Sequence, residues 1–204
     1  MLTRTGPDGS VTTYVQSASG PTSIKQLVTA SPLVERTTTM AYFATADARN
    51  GKVETITDPR GKLTTMAYNT TTGDLTSVTD PLSHATTFGY DAFGRRTTVT
   101  DALGHTTTTE YDIRGRVTKV TSHVDANGAG PHTGDTHTQF TYDKSGHRES
   151  VIDPMGRVTR YVYDDFGRLS MVLDPLSQAT HYTYDLMGNL LSLRDAKNQT
   201  TSLE

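Results

Sequence analysis

Residues 90–104 read Tyr-Asp-Ala-Phe-Gly-Arg-Arg-Thr-Thr-Val-Thr-Asp-Ala-Leu-Gly, and this stretch decides how the rest of the chain is interpreted. After a further short run of polar residues, the same opening returns at Tyr111-Asp112. The interval of 21 residues between Tyr90 and Tyr111 also separates Tyr142 from Tyr163 and Tyr163 from Tyr184. A fixed period of this length indicates a repeat architecture.

Each repeat contains two fixed corners, which are short motifs of turn-forming residues. The first corner is Tyr-Asp-x-x-Gly, and its aspartates are Asp91, Asp112, Asp143, Asp164 and Asp185. The second corner opens with an aspartate that is usually followed by proline, at Asp58, Asp80, Asp101, Asp153, Asp174 and Asp195. A catalytic residue is needed only once, so aspartates that return in every copy are expected to form turns.

The segments between the corners are typical of β-strands. Asp, Pro and Gly at the corners supply turn chemistry, including the positive φ that a chain reversal requires. The intervening runs are rich in Thr, Val and Tyr, which suit a pleated, half-buried surface, and they lack the i, i+3, i+4 spacing of helices. Short strands at this spacing predict an all-β fold built from antiparallel hairpins.

The repeat resembles the YD repeat of the RHS-repeat family. The segment Tyr163-Asp164-Asp165-Phe166-Gly167-Arg168-Leu169 matches one half of that motif, and Asp153-Pro154-Met155-Gly156-Arg157-Val158-Thr159 matches the other. The resemblance covers about residues 50–204, and it is specific because both corners and their separation recur together.

In that family, many such hairpins form one long, curved antiparallel β-strip that coils into a hollow shell. In bacterial polymorphic toxins, insecticidal toxin complexes and related surface proteins, the shell encloses or carries another polypeptide, usually a C-terminal toxin. The resemblance therefore implies a shell or scaffold fragment, or a partial shell, from a secreted or cell-surface protein. Its partners would be a toxin or other cargo polypeptide, or neighbouring RHS repeats, and no cofactor is implied. The family's toxin-releasing motif and a toxin domain do not follow the last repeat in this sequence.

Composition excludes several other classes of protein. The chain has 204 residues, a net charge of −3 and no basic stripe, so we expect no nucleic-acid partner. It lacks cysteine, which removes disulfides and thiol chemistry. No apolar run approaches the ~18 residues of a membrane span, and Met1-Leu2-Thr3-Arg4 lacks the apolar region of a signal peptide.

The repeats predict two regions in the chain. Residues 1–49 are irregular and are expected to form an N-terminal cap or degenerate repeats, with at most one short helix near residues 22–29. Residues 50–204 are expected to form the YD-repeat strip, with about 14 strands in all. The unpaired outer strands favour a homo-oligomer that associates edge to edge. Tyr68 and Tyr90 are 22 residues apart, and this extra residue predicts a β-bulge.

The period is broken between Thr121 and Tyr142 by a loop insertion at 123–137, and function often resides in such loops. The insertion contains three histidines and two aspartates. One hypothesis is a metal site formed by His123, His132, Asp135 and His137, since imidazole and carboxylate suit zinc or similar ions. The favoured interpretation is a solvated hairpin extension without metal, because the glycine-rich sequence matches no standard ligand spacing.

Two carboxylates depart from the repeat and are candidates for glycoside hydrolysis, namely Glu110 and Glu149. Such a pair must lie about 5–10 Å apart. A simple meander places their strands about 14 Å apart, so the sequence favours a cross-strand pair of Glu110 with Arg116 instead.

Carbohydrate binding is a third interpretation, because a concave sheet with exposed tyrosines offers stacking faces for sugars. The candidates are Tyr90, Tyr111, Tyr163 and Tyr184, although a tyrosine beside each turn is more simply explained by packing. The sequence therefore favours a structural RHS shell or scaffold fragment without catalysis of its own. The alternative is a carbohydrate-active protein, either a glycan binder or a glycoside hydrolase acting on polysaccharide.

Overall fold

The computed structural model of the chain describes residues 2–5, 11–17, 20–28, 34–123 and 134–203. All regular secondary structure in these ranges is β-strand, and no helix in them is long and apolar enough to cross a membrane. The strands fall into two compact units, Met1–Thr106 and Thr107–Glu204.

The first unit is an antiparallel meander in which each strand pairs with the next along the chain. Its strands are β1 (Leu2–Thr5), β2 (Val11–Ser17), β3 (Gly20–Val28), β4 (Val34–Tyr42), β5 (Val53–Thr57), β6 (Leu63–Tyr68), β7 (Leu75–Thr79), β8 (Ala85–Tyr90) and β9 (Arg96–Thr100). Runs of Thr and Val favour these extended segments because β-branched side chains pack well on a pleated surface.

The second unit repeats the same arrangement of consecutive antiparallel strands. Its strands are β10 (Thr106–Tyr111), β11 (Val117–Ser122), β12 (Thr136–Tyr142), β13 (Arg148–Ile152), β14 (Val158–Tyr163), β15 (Leu169–Leu173), β16 (Ala179–Tyr184), β17 (Leu190–Arg194) and β18 (Thr200–Ser202). The 18 described strands exceed the predicted 14 because β1–β4 extend the meander into the N-terminal region.

The short helix near residues 22–29 is not formed. Residues 20–28 are strand β3, which pairs with β2 on one side and β4 on the other. Ile24, Leu27 and Val28 have helical spacing, but a segment this short is marginal as a helix and gains more from two hydrogen-bonded neighbours. Tertiary pairing therefore overrides the local pattern.

The extra residue between Tyr68 and Tyr90 lies in a turn, so its assignment to a β-bulge is wrong. The chain reverses from Asn69 to Asp74, where Gly73 donates its backbone N–H to the Asn69 carbonyl and Asn69 donates to the Asp74 carbonyl. Bulges do occur, but at the tyrosine of every first-corner hairpin, with register shifts such as that between Val162 and Tyr163. Adding a residue to a surface turn leaves both strand registers unchanged.

Among the residues whose burial is described, no hydrophobic side chain is buried. The buried side chains are polar: Thr13, Thr106, Thr121, His123 and Ser150. Each unit is thus a single layer of strands whose apolar side chains are at most partly covered. Burial of a common core cannot dominate the stability of such a layer, so the hydrogen bonds of its ladders and corners carry a larger share.

Three of the described corners place a non-glycine residue in the left-handed region, at Ser83, Ser177 and Asn198. The equivalent position in other corners is glycine, for example Gly156 with φ of 77°. We expect Ser177→Gly to stabilise the second unit by about 0.5–1 kcal/mol, because glycine has no Cβ to strain at φ of 62°. The midpoint of urea unfolding should rise.

Ser145→Gly is the matched control, because Ser145 occupies a corner but has no positive φ. This substitution should lower the midpoint slightly by adding backbone freedom to the unfolded chain. Equal shifts in both variants would contradict the assignment of strain to Ser177.

Candidate functional site

Both corners form the same five-residue turn. In the second corner at Asp153, the backbone N–H of Asp153 donates to the Arg157 carbonyl (3.0 Å), and that of Gly156 donates to the Asp153 carbonyl (2.9 Å). Asp153 Oδ1 accepts the backbone N–H groups of Met155 and Arg157, each at 2.9 Å. The first corner at Asp164 has the same bonds. One carboxylate oxygen therefore satisfies two turn N–H groups.

The second carboxylate oxygen binds the side chain four residues later. Arg157 Nε lies 2.6 Å from Asp153 Oδ2, and Arg168 Nε lies 2.7 Å from Asp164 Oδ2. Histidine takes this position in some corners, as where His147 Nδ1 lies 3.0 Å from Asp143 Oδ2. Every such pair is formed within its own turn, so a corner needs no other part of the chain to close.

A ladder of stacked side chains connects successive first corners in the second unit. In the first corners that open at Asp112, Asp143 and Asp164, the residue four positions after the aspartate lies over the tyrosine of the next first corner. Arg116 lies 4.3 Å from the Tyr142 ring centroid, and Arg168 lies 4.8 Å from that of Tyr184. The His147 and Tyr163 rings stack at 4.7 Å. These contacts join neighbouring hairpins along one rim of the unit.

The tyrosine hydroxyls complete this corner ladder. Tyr142 donates its O–H to the Val117 carbonyl (2.8 Å), Tyr163 to the Arg148 carbonyl (3.1 Å) and Tyr184 to the Leu169 carbonyl (2.8 Å). Each acceptor is the first residue of the adjacent strand, immediately after the previous first corner. Two of the tyrosines proposed for sugar stacking, Tyr163 and Tyr184, therefore have one ring face and the hydroxyl engaged within the protein.

The pKa values of eight corner carboxyls lie below their ordinary value: Asp80, Asp91, Asp101, Asp112, Asp143, Asp153, Asp164 and Asp185. For Asp153, the backbone N–H of Arg157 lowers the pKa most; desolvation opposes it, and the Arg157 side chain and Met155 N–H add to it. Hydrogen bonds to the charged form favour that form.

Acid should therefore destabilise the protein. A carboxyl with a lowered folded pKa stabilises the fold above its unfolded pKa of about 3.9, and this contribution is lost as the pH falls through the folded value. We expect the free energy of urea unfolding to fall progressively from about pH 5 downward. Asp153→Asn should make this slope shallower, because it removes one titrating group and keeps an acceptor oxygen. A slope unchanged by the substitution would contradict the assignment.

A separate polar cluster lies at the base of the insertion. His123 Nδ1 lies 2.7 Å from Asp135 Oδ2, and His123 Nε2 lies 3.2 Å from Thr108 Oγ1. The side chains of His123 and Asp135 are only 10% and 9% exposed. Neutral His123 can donate to the carboxylate and accept from the hydroxyl, so both of its nitrogens are engaged. The cluster ties the base of the insertion to strand β10.

The proposed metal ligands are only partly brought together. His132 lies outside the described residues, and His137 stands opposite Thr121 on the neighbouring strand. Among the residues that the structure describes, no group of three or more His, Cys, Asp or Glu side chains could hold a metal ion. The described geometry of the insertion base is that of a hydrogen-bonded cross-link.

The two candidate glutamates lie on strands β10 and β13, three strands apart. Glu110 stands opposite Lys119, with Oε1 at 3.7 Å from Nζ. The predicted pair with Arg116 is wrong, because the bulge at Tyr111 shifts the register and Arg116 binds its own corner aspartate, Asp112. Glu149 accepts a hydrogen bond from Thr141 at 3.5 Å. Neither glutamate faces the other across a cleft.

The cross-strand register divides the second unit into two faces. One row of opposed residues runs Val162, Met171, His181 and Arg194. Residues of the same parity define this polar face, which also contains Glu110, Lys119, His137 and Arg160. The opposite face contains Phe140, Val151, Tyr161, Val172, Tyr182 and Leu193. Because side chains alternate along a strand, polar candidates far apart in sequence share one surface.

Sequence reasoning missed the basic residue that pairs with the aspartate in most corners. Its signal was available, because Arg or His follows the corner aspartate by four residues at Arg95, Arg116, His147, Arg157 and Arg168. This four-residue spacing predicts a contact only when the turn is known to bring the fourth residue back beside the aspartate.

Comparison with known proteins supports the repeat assignment. A family model described as RHS Repeat matches residues 70–106, 96–129 and 142–176. The chain contains RHS repeats. The matched segments contain first corners and second corners together, which confirms the family predicted from the Tyr-Asp and Asp-Pro motifs. No curated protein is similar enough to match this sequence.

Solved structures of toxin complexes share the fold of this chain. The chain is similar to the Tc holotoxin pore of Photorhabdus luminescens, with a TM-score of 0.74 and 18% identity over 95% of this chain and 12% of that one. It is also similar to TcdB2-TccC3 without its hypervariable C-terminal region, with a TM-score of 0.72 and 18% identity over 95% of this chain and 11% of that one. This likeness confirms the predicted all-β repeat fold, and the RHS repeats here form a β-scaffold.

Proposed function

We propose that this RHS-repeat β-scaffold is a segment of a larger shell that encloses another polypeptide in a bacterial secreted or cell-surface protein. The observation that carries the proposal is a repeated series of exposed apolar side chains at the corners. In isolation these side chains are largely exposed to solvent, although Phe93 and Phe166 each contact the arginine of their own corner. The chain spans 12% and 11% of the lengths of the toxin-complex chains named above, and the remaining repeats of a longer protein would supply the missing surface.

The exposed side chains share one structural position. Each follows its corner aspartate by one or two residues, and each is between 70% and 104% exposed: Leu82, Phe93, Leu103, Ile113, Met155, Phe166, Leu176, Leu186 and Met187. Single exposed apolar residues are ordinary, but a repeated series of them marks an interaction surface. Corners recur every second strand, at about 10 Å, so another strip with the same period could pack against them in register.

The proposed identity of the enclosed partner is based on the similar solved structures, which are toxin complexes. One is a Tc holotoxin pore and the other is a TcdB2-TccC3 complex. A toxin or other cargo polypeptide is accordingly the proposed partner of this chain, and association through strand edges or corners is the proposed mode of assembly. The division of the chain at residue 50 into a terminal region and a repeat strip remains part of this proposal.

Carbohydrate binding or hydrolysis gains no support from the described geometry. A retaining or inverting pair of carboxylates requires a separation below about 10 Å, whereas three strand spacings amount to about 14 Å. Tyr163 and Tyr184 are engaged in the corner ladder. Tyr90 and Tyr111 are half-buried at the ends of strands β8 and β10. We therefore advance the shell as the single proposed function.

The test is protease protection of a co-purifying polypeptide. The native protein would be purified from its source at neutral pH, treated with protease, and then acidified to open the corners before a second treatment. We expect a polypeptide distinct from the repeats to survive the first treatment and to be digested in the second. Complete digestion at neutral pH with the repeats intact, or the absence of any second polypeptide, would rule out enclosure.

A further inference from the structure

The polar face of the second unit carries two arginines that are not used by the fold. Arg160 lies on strand β14 opposite Ser150 and Leu173, and Arg194 lies on β17 opposite His181 and Thr200. Both are exposed. Within the described part of the chain, neither side chain has a hydrogen bond, an ion pair or a ring contact, which distinguishes them from the other arginines of this unit.

The other arginines of the second unit are each engaged. Arg116, Arg157 and Arg168 pair with their corner aspartates. Arg114 donates to the Lys144 carbonyl, and Arg148 lies over the Tyr161 ring on the opposite face. The carboxylate of Glu149, on the strand next to Arg160, accepts from Thr141 and forms no ion pair in the described residues. Arg160 and Arg194 are therefore available to an external anion.

A cleft is lined by Arg194, and Arg160 precedes its lining residue Val162 by two positions on the same strand. It encloses about 570 Å³ and is lined by Val162, Met171, His181, Thr183, Ser192 and Arg194. Its walls combine apolar side chains, hydroxyls and a guanidinium. Such a lining suits a chain that presents both methylene groups and carboxylates, since ligand sites are mostly apolar with a few placed polar groups.

We infer that this cleft binds an acidic polypeptide segment in an extended conformation, with carboxylates on Arg160 and Arg194. Guanidinium groups bind carboxylates through two parallel hydrogen bonds, which gives direction as well as attraction. His181 stands beside Arg194 with no acidic residue opposite either of them. An acidic ligand supplies the opposite charge that this row lacks. This proposal does not depend on whether the chain belongs to a closed shell.

The register also predicts the spacing of the ligand's charges. Arg160 and Arg194 are three strands apart, about 14 Å across the sheet, and Arg160 is one cross-strand row further along. An extended chain covers about 14 Å in four residues, and every second side chain points to the same side. Glutamates at positions i and i+4 of an extended segment would therefore reach both guanidinium groups.

The test uses a labelled peptide of alternating Glu and Ser, about twelve residues long, so that its acidic side chains share one side when it is extended. Binding is measured by fluorescence anisotropy in about 20 mM salt, where charge pairing is little screened. We expect saturable binding that weakens about tenfold in the Arg160→Gln/Arg194→Gln double variant, because both charge-assisted contacts are lost. Both side chains are exposed, so the urea midpoint should not change.

The matched control is Arg60→Gln/Lys197→Gln. It lowers the net charge equally, and both residues are exposed at corner tips. This variant should bind the peptide as the unmodified protein does. If both double variants bound the peptide equally weakly, the loss of net charge alone would explain the effect, and the proposed site would be wrong. Absence of saturable binding would also overturn it. Tighter binding of polygalacturonate than of the peptide would contradict the peptide assignment and indicate that the cleft binds an anionic glycan.

Discussion

Tyr142→Ala is expected to lower the free energy of unfolding of the second unit by about 2–3 kcal/mol. The substitution removes the ring beneath Arg116 and the hydroxyl that donates to the Val117 carbonyl. Arg116 Nη1 is already buried without a hydrogen-bond partner in the described residues. Losing the ring removes a contact that offsets the cost of desolvating this guanidinium. The measurement is urea unfolding together with hydrogen exchange of the β11 and β12 amides.

Two milder substitutions separate the contributions of the ring and the hydroxyl. Tyr142→Phe should cost about 1 kcal/mol, which is the usual net value of one hydrogen bond. Tyr182→Phe is the control, because Tyr182 lies on a strand of the same unit and its hydroxyl makes no hydrogen bond in the described structure; it should stay within about 0.5 kcal/mol of the unmodified protein. If Tyr142→Phe were equally neutral, the hydroxyl would not contribute to the corner ladder.

Gly73→Ala is expected to destabilise the first unit by about 3 kcal/mol. Gly73 has φ of 75°, and a Cβ there would lie 2.7 Å from the Ala48 carbonyl oxygen and 2.8 Å from the Lys52 side chain. The backbone oxygen cannot rotate away, so the segment around Ala48 must shift. That segment is held by the N–H of Ala48, which donates to the Thr70 carbonyl at 3.2 Å.

Gly61→Ala provides the matched comparison for this substitution. Gly61 has the same φ of 75°, but nothing lies within 4 Å of the position that a Cβ would occupy there. It should cost only the strain of the left-handed conformation, about 1–2 kcal/mol. The difference between the two urea midpoints measures the cost of the contact between a Cβ at position 73 and the segment around Ala48. Equal effects would show that the contact at Ala48 relaxes without cost.

The parts of the fold that the sequence can predict are those determined within a few residues. The Tyr-Asp-x-x-Gly and Asp-Pro motifs place the turns because Asp, Pro and Gly act on the adjacent backbone. The strands between them follow from the period. The N-terminal strands cannot be predicted in this way, because β1–β4 contain no clear corner and their pairing depends on neighbouring strands. Local spacing around Ile24 does not reveal that dependence.

Prediction of the candidate residues is limited by register in a similar way. The sequence pairs Glu110 with Arg116 because the bulge at Tyr111 cannot be counted from it, yet that bulge places Lys119 opposite. The pair of Arg160 and Arg194 cannot be found either, since their proximity requires the parity of four strands at once. By contrast, the unusual composition of the insertion draws attention to His123 and Asp135, which lie in contact, although the sequence suggests them only as metal ligands.

The self-contained corners determine where this protein can acquire new sequence. Strands β11 and β12 remain in register, with Ser122 opposite Thr136, although the second corner between them has been replaced by the insertion. The His123–Asp135 contact joins the two ends of the insertion. Lengthening such a loop costs only about 0.6 kcal/mol for each doubling. Corners are therefore the positions at which one repeat can diverge in evolution while its neighbours stay unaltered.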